Sequence, residues 1–147
     1  MNQFNSGPSV NTYNKLSHWF DFSNPGILKV YSGKIDIGQH ISSTLALITS
    51  KITEIKYDQI ELIKLSTDIS PNEGITASSL SVANSGSAIK AASIALKINF
   101  LNYALENLKI KNEDILFDNG VIKDKNSNKT ISYWDFSKTD EFREVII

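Results

Sequence analysis

From Ile41 the apolar residues Ile41, Leu45, Ile48, Ile52 and Ile55 recur at spacings of four and three, with Lys51 and Glu54 off the stripe. That period belongs to an amphipathic helix, which must lay one face on an apolar surface. Extended runs flank it and supply that surface. His18 to Phe22 reads as a short strand, Ser23-Asn24-Pro25-Gly26 as a turn, and Ile27 to Tyr31 as the returning strand. Ser32-Gly33 reads as a bulge or bend before Lys34 to Ile37 continues in extended form. Tyr57-Asp58-Gln59 breaks the helix, and Ile60 to Leu65 has the β-branched and leucine density of a buried strand.

A second helix is expected from about Ser85 to Leu108, where Ala88, Ala91, Ala95, Ile98, Leu101, Leu105 and Leu108 repeat at helical spacing. Alanines keep its first half thin, so a backbone or a ligand can come close. Asp114 to Phe117 and Val121-Ile122 read as strands around the hairpin turn Asp118-Asn119-Gly120. Thr130 to Tyr133 returns as another strand after the polar turn Lys123 to Asn128, and Ser132 is placed to cap a short helix over Trp134 to Ser137. Sheet and helix mixed in this order give an α/β or α+β domain, with two main helices packed on a mixed sheet. Residues 1–14 are expected to form a flexible amino end, 15–137 the domain, and 138–147 a truncated tail whose final Val145-Ile146-Ile147 resembles an element cut off as it begins.

The 147 residues suit one domain with one ordinary core. A net charge of −1 provides no field to attract nucleic acid or an anionic membrane surface. With no cysteine, the chain itself offers no disulfide, thiolate metal site, iron–sulfur ligation or cysteine nucleophile. Polar residues interrupt every apolar run before membrane-spanning length, and the polar start is unlike a secretion signal, so a soluble product is expected. His18 and His40 find no third ligand at a metal-like spacing, and no metal site is expected.

Two loops carry the chemistry. Gly33-Lys34-Ile35-Asp36-Ile37-Gly38-Gln39-His40 leads from a strand into the first helix, and Thr67 to Ser81 has no apolar period, contains Pro71 and Gly74, and is long for a connection inside a compact domain. The second loop ends on Thr76-Ala77-Ser78-Ser79-Leu80-Ser81, hydroxyls and backbone N–H groups ahead of a long helix whose amino end favours an anion. Together they suit a phosphate-bearing cofactor. Plainer readings stand beside this one: Gln39 satisfying nearby backbone, Ser78, Ser79 and Ser81 capping or solvating the loop. Asp68 and Glu73 flank the loop as acids with either a solvated or an acid–base role. Trp19 and Phe20 belong to the core, whereas Trp134 and Phe136 belong either to the core or to a docking patch.

In order and spacing, Gly33 to Gln39, then Ser70-Pro71-Asn72-Glu73-Gly74-Ile75-Thr76 through Ser81, then Gly86-Ser87-Ala88 resemble one family. It is the molybdopterin-binding part of the large subunit of molybdenum hydroxylases, the xanthine dehydrogenase and aldehyde oxidase superfamily, of the isoquinoline 1-oxidoreductase and nicotinate dehydrogenase type. The similarity runs from about Leu16 to Phe136 and includes Ser132-Tyr133-Trp134-Asp135-Phe136. It implies that Gly38, Gln39, Thr76, Ser79, Leu80, Ser81 and Gly86 bind molybdopterin, in a simple or cytosine dinucleotide form, with its molybdenum. His40 stands where the family has the second glycine of G-Q-G. The glycine-rich loop and glutamate base that the family places further downstream fall outside this stretch, so no catalytic residue is assigned here and the segment is expected to be inactive alone. The resemblance implies as partners the remainder of the large subunit and a 2Fe-2S small subunit, with oxidation of an aromatic N-heterocycle or aldehyde by the whole enzyme, in the cytoplasm or periplasm. A different class, a non-catalytic domain binding a phosphorylated ligand or a partner protein, uses the same two loops.

Overall fold

The computed structural model describes residues 7–76 and 80–147. Two three-stranded sheets and two long helices make up the body. The first sheet has the order β1 (Phe20–Asp21), β2 (Leu28–Val30), β3 (Ile60–Leu62), with β1 antiparallel and β3 parallel to β2. A parallel pair needs a crossover, and α1 (Ile41–Thr53) supplies it. The second sheet is an antiparallel meander of β4 (Ile115–Asp118), β5 (Val121–Asp124) and β6 (Thr130–Ser132). Asn119 and Gly120 both have positive φ, 47° and 74°, the two-residue turn that the Asp118-Asn119-Gly120 signal implies. The mixed sheet-and-helix fold expected from the sequence is the one observed.

The first strands are shorter than expected because the chain leaves the ladder early. His18 closes a 3-10 turn over Leu16–His18, and its Nδ1 accepts from the Lys15 N–H. Beyond Leu62, β3 is an edge strand among the described residues, and Leu65 is exposed where a buried strand was expected. Ser32-Gly33 is a point of close approach rather than a bulge: a Cβ on Gly33 would lie 2.1 Å from the Pro71 carbonyl oxygen.

The second helix begins earlier than expected. Leu80 and Ser81 are helical, Val82–Gly86 form a π-helical turn, and α2 runs over Ser87–Leu108. Its buried face is Ala88, Ile89, Ala92, Ser93, Leu96, Phe100, Ala104 and Leu108, not the stripe through Ala91, Ala95 and Ile98. The helix is apolar on nearly every side, so two stripes of the same period compete, and packing chooses the one carrying Phe100. That ring lies 4.1 Å from the ring of Tyr133 and 6.0 Å from that of Phe136.

Ser132 caps α3 (Tyr133–Phe136), its hydroxyl accepting from the Asp135 N–H while the Asp135 carboxylate accepts from the Ser132 N–H. Tyr133 thus opens a helix instead of ending a strand. Phe136 is core, which removes it from any docking patch; Trp134 is half-buried, with its Nε1 donating to the Asn24 carbonyl.

Both ends of the described chain are pinned. Val10 is buried, the Tyr13 carbonyl accepts from Trp19 Nε1 at 2.7 Å, and Phe142 of α4 (Asp140–Glu144) and Val145 close over the aromatic core. Ile146 pairs with Lys15, and the Ile147 N–H donates to the Asn14 carbonyl. Among the described residues no helix is long and apolar enough to cross a membrane.

Candidate cofactor-binding site

The β2–α1–β3 crossover places the first loop at the carboxyl ends of two parallel strands, the end where open α/β sheets bind ligands. A cleft of about 500 Å³ lies there, lined by Lys34, Ile35, Asp36, Ser42 and the chain from Leu62 to Leu65. The first loop must turn sharply to enter α1, and it does so through two left-handed residues, Gly38 at φ 100° and His40 at φ 59°. Glycine takes such angles freely; His40 bears about 1–2 kcal/mol of steric cost. The His40 side chain faces solvent, and among the described residues an added Cβ on Gly38 would meet nothing within 4 Å.

Asp36 closes the amino end of α1. Its Oδ1 accepts from the N–H groups of Gly38 at 3.0 Å and His40 at 3.3 Å, and its Oδ2 from Ser42 N–H at 3.1 Å. These bonds, the one from Gly38 first, hold the carboxyl below the usual aspartate range. A carboxylate therefore already occupies the position an anion would take at α1.

Gln39 folds back on its own loop, Oε1 accepting from Ile37 N–H at 2.6 Å and Nε2 donating to the Ile35 carbonyl at 2.7 Å. The plainer reading of Gln39 describes its contacts. Its amide keeps spare hydrogen-bonding capacity, since each terminal atom has used one of two valences.

The two loops meet at Ile35. Its carbonyl receives Gln39 while its N–H donates to Thr76 Oγ1 at 3.1 Å, so one residue joins Gly38-Gln39 to Thr76. Around that junction the second loop is sewn to the first by side chains. Glu73 Oε2 accepts from Ser32 Oγ at 2.8 Å and Gly33 N–H at 2.7 Å, and its Oε1 from Ser9 Oγ at 3.2 Å. Lys34 Nζ donates to the carbonyls of Glu73 and Ile75, each at 2.8 Å. Ordering a loop residue costs about 1–2 kcal/mol. Hydrogen bonds to charged groups return about 1.5–3 kcal/mol each, which is the scale needed to hold this stretch without an apolar anchor beyond Pro71.

Leu80 is exposed and Ser81 half-buried at the start of the second helix. Gly86 is buried against Ile48 of α1, in the contact between the helices. Ser79 lies outside the described residues, as do Ala77 and Ser78. Sequence reasoning missed the ties made by Ser32, Lys34, Asp36 and Glu73. For Asp36 a signal existed, an aspartate just ahead of a glycine and a helix start; for Lys34 and Glu73 none did, because their partners are remote in sequence. Glu73, expected as a solvated or reacting acid, is a structural tie. Among the described residues no group of three or more His, Asp or Glu stands close enough to hold a metal ion.

The family described as the molybdopterin cofactor-binding domain matches residues 1–145. A nicotinate dehydrogenase subunit of Pseudomonas putida is 24% identical over 119 residues, 81% of this chain but 10% of that protein. Among solved structures, a Cu,Mo-CO dehydrogenase in its carbon monoxide reduced state superposes with a TM-score of 0.62 at 22% identity, over 78% of this chain and 15% of that one. Quinoline 2-oxidoreductase from Pseudomonas putida 86 gives 0.59 at 19%, over 79% and 15%. The chain thus spans a small fraction of the length of these relatives, and its paired loops and strand ends lie within the matched stretch. The chain belongs to the molybdopterin cofactor-binding domain family.

Proposed function

We propose that this chain is the cofactor-binding segment of a molybdenum-dependent hydroxylase of the isoquinoline 1-oxidoreductase and nicotinate dehydrogenase type. The observation that carries the reading is the junction at Ile35, whose carbonyl holds Gln39 and whose N–H holds Thr76, so that one residue ties both loops. The donors suit the group. Of the two helix starts, α1 is satisfied by Asp36 and repels an anion, which leaves the start at Leu80-Ser81 as the place for a phosphate or diphosphate.

In this reading Gly38 leaves room for the pterin edge, Gln39 turns its spare amide valences toward it, and Thr76 Oγ1, accepting from Ile35, directs its proton outward. Ser79, Leu80 and Ser81 hold the phosphate end. Gly86 acts one step back, setting the approach of α2 to α1. When bound, molybdopterin and its molybdenum supply two-electron redox chemistry. The residues here bind and orient that group. Oxidation of an aromatic N-heterocycle or aldehyde belongs to the assembled enzyme, with the rest of a large subunit and a 2Fe-2S subunit as partners, and this segment alone does not turn over.

The test uses the protein as its own cell makes it, with the subunits that copurify, and measures pterin per chain. Ser81→Asp puts a negative charge beside the phosphate position and is expected to lower pterin content at least about tenfold with the thermal midpoint unchanged. Pterin retained at the wild-type level would overturn the assignment.

A further inference from the structure

We propose that Lys34 and Glu73 are positioning residues that lock the second loop against the first before any ligand arrives. For its consequence this rests on the cofactor reading above; for its existence it rests on geometry. Glu73 is gripped at both ends by three consecutive residues. Ser32 and Gly33 donate to its carboxylate, and Lys34 donates to its backbone carbonyl and, two residues on, to that of Ile75. Ser32 Oγ also accepts from the Lys34 N–H at 3.2 Å, so the gripping segment is itself braced.

The Lys34 side chain explains why the grip is decisive. Lys34 is only 7% exposed, yet it makes no ion pair among the described residues. Its charge is solvated by two carbonyls of the second loop in place of water. Lifting that loop strands a buried ammonium, which is unfavourable unless water follows it in. Gly33 makes the contact possible, since any side chain there would collide with Pro71 and Glu73. Thr76 follows directly, and its bond from Ile35 N–H fixes the register of both loops.

The experiment compares wild type with Lys34→Met, Glu73→Ala, Glu73→Gln and Ser32→Ala. It reads amide hydrogen exchange in residues 33–38, 71–76 and 92–100, and pterin per chain in the protein as its own cell makes it. Lys34→Met and Glu73→Ala are expected to speed exchange at both loops at least about tenfold while the α2 amides keep their rates. Pterin content falls in the same variants. Glu73→Gln, which keeps one acceptor oxygen, recovers most of the protection, and Ser32→Ala, which removes one donor, decides the matter should the harsher variants not fold. Unchanged loop exchange, or acceleration spread equally over α2, would overturn the clamp. A wild-type protein without pterin would overturn the cofactor reading instead, and the exchange rates would still decide the clamp.

Discussion

Asp36 shows how one side chain divides the work between the two loops. Three N–H groups at the amino end of α1 converge on its carboxylate, and its folded-state pKa is depressed by them. A depressed carboxyl contributes stability that is fully present above its unfolded value, near pH 3.9, and is lost as pH falls through the folded value. Asp36→Asn is therefore expected to lower the urea midpoint at neutral pH and to flatten the acid limb of the stability curve. Equal acid sensitivity in both proteins would show that other carboxyls dominate. Asp21 acts in the same direction: burial pushes its pKa up, but bonds from Ser23 and the charge of Lys29 outweigh it and bring it down.

At the scale of elements, the face that α2 buries is the clearest measure of what was legible. The two helices, the Asn119-Gly120 hairpin and the Ser132 cap are written in local sequence, because each depends on period, turn chemistry or a neighbour three residues away. Of the expected α1 stripe, Ile41 and Leu45 are buried, but Ile48 and Ile52 are only half-buried beside buried Ala46, Thr49 and Thr53, and Ile55 lies past the helix end. The choice of face on α2 is not local, since Ala91, Ala95 and Ile98 repeat as well as Ala88, Ala92 and Leu96 do; contact with the Tyr133 and Phe136 rings decides it. Ala92→Leu should thus cost about 1–3 kcal/mol by overpacking, while Ile98→Ala on the exposed side should stay within about 0.5 kcal/mol. Urea denaturation of the two variants checks the assignment; the reverse order of costs would put the other stripe inside. The site divides in the same way. Gly38, Gln39 and Thr76 stand out as a motif, whereas the tie from Lys34 and Glu73 spans about forty residues and becomes visible only once the chain is folded.

For the whole molecule, the two loops carry the most exposed large apolar residues among the described residues. Both described ends are tied down near the aromatic core, yet Ile37 and Ile75, one on each loop, are 81% and 83% exposed. Such residues sit poorly in water, and a ligand or further polypeptide over the loops would cover them. The fold places them at the carboxyl ends of β2 and β3, the position from which a parallel sheet presents ligands. In the proposed function this edge takes molybdopterin. The most direct measurement is backbone amide chemical-shift mapping of the chain during anaerobic titration with molybdopterin. Shifts are expected to be confined to residues 33–40 and 73–86, with α3 and the β4–β6 sheet silent. Shifts centred elsewhere, or none at saturating pterin, would contradict it.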